Sequence, residues 1–118
     1  MIFQEIFTLG CGFFNQGKYN KAHIAWEDIW KNGNDIERAE IKGFIQLTGA
    51  ILNTQSGKIS SGQYLFEKSI SNISSVSVIS DWIRIKPLLD IMVKCLEQLE
   101  INPYETFPYL EIQLNLKS

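Results

Sequence analysis

The sequence is poor in the residues that mark several classes of small protein. Among its 118 residues there are two cysteines, three prolines and one histidine. The cysteines, Cys11 and Cys95, lie far apart within apolar segments. That placement is typical of reduced thiols in a core and does not favour a disulfide. The sequence has no Cys-x-x-Cys motif, glycine-rich phosphate loop or nucleophile elbow, so it predicts no cofactor.

An excess of one charge and long apolar runs are also missing. The formal net charge is −2 and the basic residues are scattered, which argues against a nucleic-acid partner. No apolar run approaches the roughly 20 residues of a membrane-spanning helix, so no membrane partner is expected. The first 14 residues lack the basic segment of a secretory signal. These features predict a cytoplasmic protein, or a plastid protein if an organelle encodes it.

What the sequence does contain is apolar residues spaced for helices. Hydrophobic residues form 45% of the chain and charged residues 20%, which is normal for a globular domain. Apolar residues recur at steps of three and four, and this predicts helices over about 3–14, 19–31, 34–55, 60–73 and 87–100. We therefore expect an all-α fold, a single domain over 1–118 built as a compact antiparallel bundle of about five helices. The expected core is Phe7, Phe14, Trp26, Trp30, Phe44, Ile45, Leu47 and Ile51.

The C-terminal segment follows a different period. Between residues 102 and 118, Leu110, Ile112, Leu114 and Leu116 alternate with polar residues, which predicts an extended tail with one apolar side. Aliphatic side chains gain free energy when they are buried. We expect the tail to lie in a groove of its own bundle, and the alternative is that it docks on another chain.

The second predicted helix carries the polar group of greatest interest. His23 and Glu27 are four residues apart and Trp30 follows one turn later, so all three share a face. Since that face is otherwise aromatic, we expect it to point inward. Counting from the turn at Gly33 predicts a cluster of His23 and Glu27 with two residues of the third helix, Arg38 and Gln46, in which Gly43 leaves room for the imidazole. Trp30, Arg38 and Gln46 are therefore the candidate binding residues.

Two interpretations of the His23–Glu27 pair remain open. A buried histidine that is bonded to a glutamate one turn away can be a structural pair. The same two groups could also serve as an acid–base pair or as metal ligands, which makes them the candidate catalytic residues. A metal would need a further ligand, and the inward face of the third helix offers no obvious carboxylate, so no metal site is predicted.

The residues of this region resemble a known family. The segment Phe14–Tyr19, then Ala22-His23, then Trp26-Glu27 through Trp30, is similar to the opening signature of domain-of-unknown-function family 309, roughly F-N-x-G-x-Y-x-x-A-H-E-x-x-E-x-x-W. The resemblance covers about residues 10–70 and includes a helix like that at 43–50. It implies a small all-helical bundle without an established biochemical role, in which His23, Glu27, Trp30 and Gln46 matter.

The sequence departs from the family pattern at two positions. Ile24 stands where the family has a carboxylate, and Asn53 stands where a basic residue or histidine is expected. Both departures lower the expectation of catalysis. The function expected is therefore a non-enzymatic bundle that binds a protein partner or itself, with a structural His–Glu pair. The alternative is a small-molecule or metal-dependent enzyme that uses His23 and Glu27.

Overall fold

A computed structural model describes residues 2–103 and 108–115 of the chain. Within these ranges it contains five α-helices and no strand longer than an isolated bridge. The helices are α1 (Phe3–Asn15), α2 (Tyr19–Asn32), α3 (Asp35–Gln55), α4 (Ile59–Ser74) and α5 (Ile85–Ile101), with a short 3-10 helix at Ile79–Asp81. The Cα radius of gyration, 13.5 Å, is that of a compact chain of this length. The predicted all-α bundle is confirmed.

Local signals end and begin these helices at the expected places. Gly17 and Gly57 adopt φ values of 74° and 80°, the left-handed conformation that glycine reaches without strain. The N–H of Lys18 donates to Phe13 O and that of Lys58 donates to Asn53 O, both at 2.9 Å, as in a Schellman motif. At the start of α3, Asn34 and Glu37 form a capping box. Short turns therefore make α1 to α4 consecutive antiparallel helices.

The helices pack in chain order, so that α3 lies between α2 and α4. An aromatic cluster forms the centre, in which the fully buried Trp26 ring contacts Phe7, Phe14 and Phe44. The indole N–H of Trp26 donates to the carbonyl oxygen of Phe7 at 3.2 Å. Most of the predicted core is buried, and Ile45 is half-buried. No described helix is long and apolar enough to cross a membrane.

The predicted burial of Trp30 is wrong. Its side chain is 43% exposed, while Ala22, Trp26 and Ile29 form the buried face of α2. Because Trp30 lies to one side of that face, its ring stands at the edge where α2 meets α3. The substitution Trp30→Ala should therefore cost much less stability than removal of a fully buried ring.

The tail lies on its own bundle over residues 108–115, as expected. Leu110 and Ile112 are buried, but the predicted burial of Leu114 is wrong, because its side chain is exposed. Leu114 forms an isolated antiparallel bridge with Ile83. The side chain of Asn15 donates to Ile112 O at 2.9 Å and accepts from Ile112 N at 2.8 Å, as a neighbouring strand would. A lone extended segment thus finds backbone and amide partners within a helical bundle. Leu116 lies outside the described residues.

A carboxylate of α3 holds the connection between α4 and α5. Glu40 is buried, and its side chain accepts hydrogen bonds from the backbone N–H groups of Ser77 (3.0 Å), Val78 (2.7 Å) and Ile79 (2.8 Å). Sequence reasoning missed this buried carboxylate, which faces the α4–α5 connection. Charge-assisted bonds from the backbone compensate for burying the charge. The sequence signal for the burial of Glu40 was its position one helical turn before the core residue Phe44.

Candidate functional site

His23 links α2 to α3 through both of its ring nitrogens. Nε2 contacts Glu27 Oε1 on the same helix, and Nδ1 lies 2.7 Å from Thr48 Oγ1 on α3. The predicted contact between His23 and Glu27 is present, and sequence reasoning missed its continuation to Thr48. Counting from the turn placed His23 beside residues 43–46, whereas its partner on α3 stands two residues further along. The three side chains form a Thr48–His23–Glu27 chain.

This chain leaves the imidazole without a free ring nitrogen. The Thr48 hydroxyl has one proton, which it donates either to Ile45 O, 2.8 Å away, or to Nδ1 of His23. In the first case Nδ1 of His23 donates to Thr48 Oγ1, and in the second Nδ1 accepts from it. Nε2 faces Glu27 in both cases. The arrangement therefore orients the Glu27 carboxylate and occupies both nitrogens that could ligate a metal.

The Glu27 carboxylate stands at the edge of an open pocket. Its side chain is 38% exposed, and the ammonium of Lys31 lies 3.9 Å from Oε2. The pocket has a volume of about 270 Å³ and is lined mainly by apolar surface. Its lining residues, which define the α2–α3 pocket, are Glu27, Trp30, Lys42, Ile45 and Gln46. Glu27 thus faces an accessible cavity and is not sealed in the core.

Of the three predicted binding residues, Trp30 and Gln46 line the pocket and Arg38 does not. Arg38 instead donates to Gly33 O and pairs with Asp35, so it closes the turn between α2 and α3. The predicted cluster of His23, Glu27, Arg38 and Gln46 is therefore wrong for Arg38. The cation level with the pocket is Lys42, one helical turn later.

Gln46 is held by α4. Its Oε1 accepts a hydrogen bond from Asn72 Nδ2 at 2.6 Å, so its amide group is fixed at one end of the pocket. Gly43 serves α4 as well, because a Cβ at that position would lie 2.9 Å from the backbone nitrogen of Ile73. The expectation that Gly43 makes room for the imidazole is therefore wrong.

The described residues bring no three histidine, cysteine, aspartate or glutamate side chains together at one point. Within residues 2–103 and 108–115, no third residue of these types joins His23 and Glu27. The two cysteines are buried, and burial raises the pKa of Cys95 to about 12 and raises the pKa of Cys11 as well. Neutral, enclosed thiols are poor nucleophiles and poor ligands.

A protein-family model described as Domain of unknown function (DUF309) matches residues 7–65. The chain belongs to the DUF309 family. The match runs from α1 into α4, so the DUF309 region contains the Thr48–His23–Glu27 chain and every residue that lines the α2–α3 pocket. It does not include α5 or the tail. Searches of curated proteins and of solved structures give no match.

Proposed function

We propose that this chain is a non-enzymatic binding protein whose α2–α3 pocket receives a segment of a protein partner. The segment places an apolar side chain between Trp30 and Ile45 and a basic group next to Glu27. One observation carries the proposal: the Thr48–His23–Glu27 chain holds a carboxylate at the mouth of an open, apolar pocket. A group held in this way needs little reorganisation when a cation binds.

The size and lining of the pocket favour a side chain as its occupant. Small-molecule sites usually enclose about 300–1,000 Å³ and bury most of their ligand. This pocket is slightly smaller, at about 270 Å³, and it is open. The half-exposed Trp30 is the type of residue that most often supplies binding energy at protein interfaces. Ile24, one turn from Glu27 on the same helix, is exposed as well.

The geometry does not favour His23 as a catalytic base or Thr48 as a nucleophile. Both nitrogens of His23 have partners, and the side chain of Thr48 is fully buried. A nucleophile must reach its substrate, and a base must lie within hydrogen-bond distance of the proton that it takes, whereas the ring nitrogens of His23 contact Glu27 and the enclosed Thr48.

A small-molecule enzyme remains the second candidate, because Glu27 combines a hydrogen-bonded histidine with access to a pocket. In that role Glu27 would be the base and His23 would orient it. This function predicts turnover of a small molecule that is lost in Glu27→Gln.

Selection from a displayed random-peptide library tests the binding proposal. The native chain should enrich peptides in which an apolar residue lies next to lysine or arginine. Glu27→Lys should remove the preference for basic residues, because it replaces attraction by repulsion at the same point. For a synthetic peptide of the enriched type, calorimetry should show affinity weakened about 5–10-fold by Glu27→Gln, as for a partly exposed ion pair.

Matched variants separate the pocket from general effects. Asp28→Asn makes the same charge change on the neighbouring residue, which does not line the pocket, and should leave affinity unchanged. Trp30→Ala should weaken binding about tenfold or more, as expected for an aromatic anchor. Enriched peptides that bind equally well to Glu27→Lys, or an equal loss in Asp28→Asn, would refute the proposal.

A further inference from the structure

The outer side of α1 is a separate surface that the proposed function does not use. Among the 13 residues of this helix only Glu5 is charged. Leu9 is 55% exposed and Ile2, just before the helix, is 60% exposed. Two adjoining grooves of about 360 and 430 Å³ run along this side and share Glu5 and Thr8. We call the surface of the first groove the α1 face, and it comprises Glu5, Thr8, Leu9, Gly12, Phe13 and Gln16.

Gly12 leaves room for a close neighbour on this face. A Cβ built at Gly12 meets no atom within 4 Å, so nothing inside the described part of the chain requires glycine there. Gly10 is different, because a Cβ there would collide with the ring of Trp26. Glycine within a helix costs stability relative to alanine. Gly12 therefore leaves this face open to a close neighbour that the described residues do not supply.

The α1 face has opposite charges near its two ends, Glu5 at one and Lys21 beside Phe13 at the other. Neither Glu5 nor Lys21 forms an ion pair among the described residues, and Lys21 Nζ lies 5.8 Å from the centroid of the Phe13 ring. Leu9 is midway between Glu5 and Phe13, four residues or about 6 Å along the axis from each. A two-fold axis beside Leu9 that pairs two antiparallel α1 helices therefore brings Glu5 of one copy to Lys21 of the other, twice.

We propose that the α1 face is a self-association surface whose occupant is a second copy of this chain. An isologous contact of this kind buries Leu9 of each copy beside Gly12 of its partner and forms two intermolecular Glu5–Lys21 ion pairs. A contact built on one short helix falls at the small end of specific interfaces, so the dimer should be reversible. None of the residues of the α2–α3 pocket takes part. The proposal of partner binding at that pocket and the proposal of a dimer can therefore be refuted independently of each other.

Sedimentation equilibrium of the full chain tests this surface by charge reversal. The native chain should shift with concentration from its own mass of 13.5 kDa towards twice that value. Glu5→Lys alone and Lys21→Glu alone should each weaken association at least tenfold, because each places like charges together. An equimolar mixture of the two single variants should recover the dimer, since every cross-pair is then attractive. The double variant Glu5→Lys with Lys21→Glu should also dimerise.

Two controls complete the experiment. Glu97→Lys makes the same charge change at an exposed position of α5 and should leave the association constant unchanged. Gly12→Ala should weaken association at least tenfold while thermal melting at low concentration shows the fold intact. A chain that stays at monomer mass at every soluble concentration would overturn the proposal. So would a dimer that neither single charge reversal weakens, or single variants that fail to pair with each other.

Discussion

In the variant Gly10→Ala the new methyl group would fall on the indole ring of Trp26. A Cβ built at this position lies 2.6 Å from Cδ1 and 2.7 Å from Cε2 of that ring, and it also contacts Nε1. The ring has nowhere to go, because it is fully buried among phenylalanine rings and donates a hydrogen bond to Phe7 O. Either α1 moves away from α2 or the indole leaves its place.

The expected cost follows from three contributions. Overpacking in a close-packed core costs about 1–3 kcal/mol. Loss of the indole hydrogen bond in a buried site adds about 1–3 kcal/mol. Alanine recovers about 1 kcal/mol through its higher helix propensity. The free energy of unfolding should therefore fall by about 3 kcal/mol, and the melting temperature by about 10 °C for a domain of this size.

Gly12→Ala is the matched control, because it is the same substitution two residues later in the same helix. Its Cβ meets nothing within 4 Å, so only the propensity gain of about 1 kcal/mol remains in the monomer. Urea unfolding followed by circular dichroism, at a concentration low enough to keep the chain monomeric, measures both variants. If Gly10→Ala is as stable as Gly12→Ala, then α1 does not approach the ring of Trp26 as closely as the structure shows.

Three further predictions concern the tail, the α4–α5 connection and the thiols. Asn15→Ala should cost about 1–3 kcal/mol and speed amide hydrogen exchange in the tail, because both hydrogen bonds to Ile112 are lost; unchanged protection would contradict the docking. Glu40→Ala should cost about 3 kcal/mol or more in urea unfolding, with Glu40→Gln milder because it keeps one acceptor oxygen. Burial raises the pKa of both Cys11 and Cys95 above the ordinary 9.0. The free energy of unfolding should therefore fall as pH rises above about 9, because the thiols of the unfolded chain ionise first. A urea midpoint that does not change between pH 8 and pH 10 would contradict this prediction.

The sequence by itself determined the helices and their order. Apolar residues at steps of three and four are a local property, and so are the turns at Gly17 and Gly57 and the capping box at Asn34, since each depends on residues at most five positions apart. Antiparallel neighbours then follow from short connections. The same local pattern brought His23 and Glu27 onto one side of α2 and supported the resemblance to the DUF309 family, which the family match confirmed.

Only the tertiary structure decided what each of these side chains faces. Trp30 has the spacing of a core residue, yet its exposure depends on how α2 is rotated against α3, and a small rotation moves a flanking residue from core to surface. The partner of His23 is Thr48, 25 residues away, and Glu40 accepts from backbone groups 37 to 39 residues away. Asn15 reaches the tail across 97 residues. No local period encodes such contacts, because they arise when packed helices bring distant groups together and buried polar atoms must find partners there.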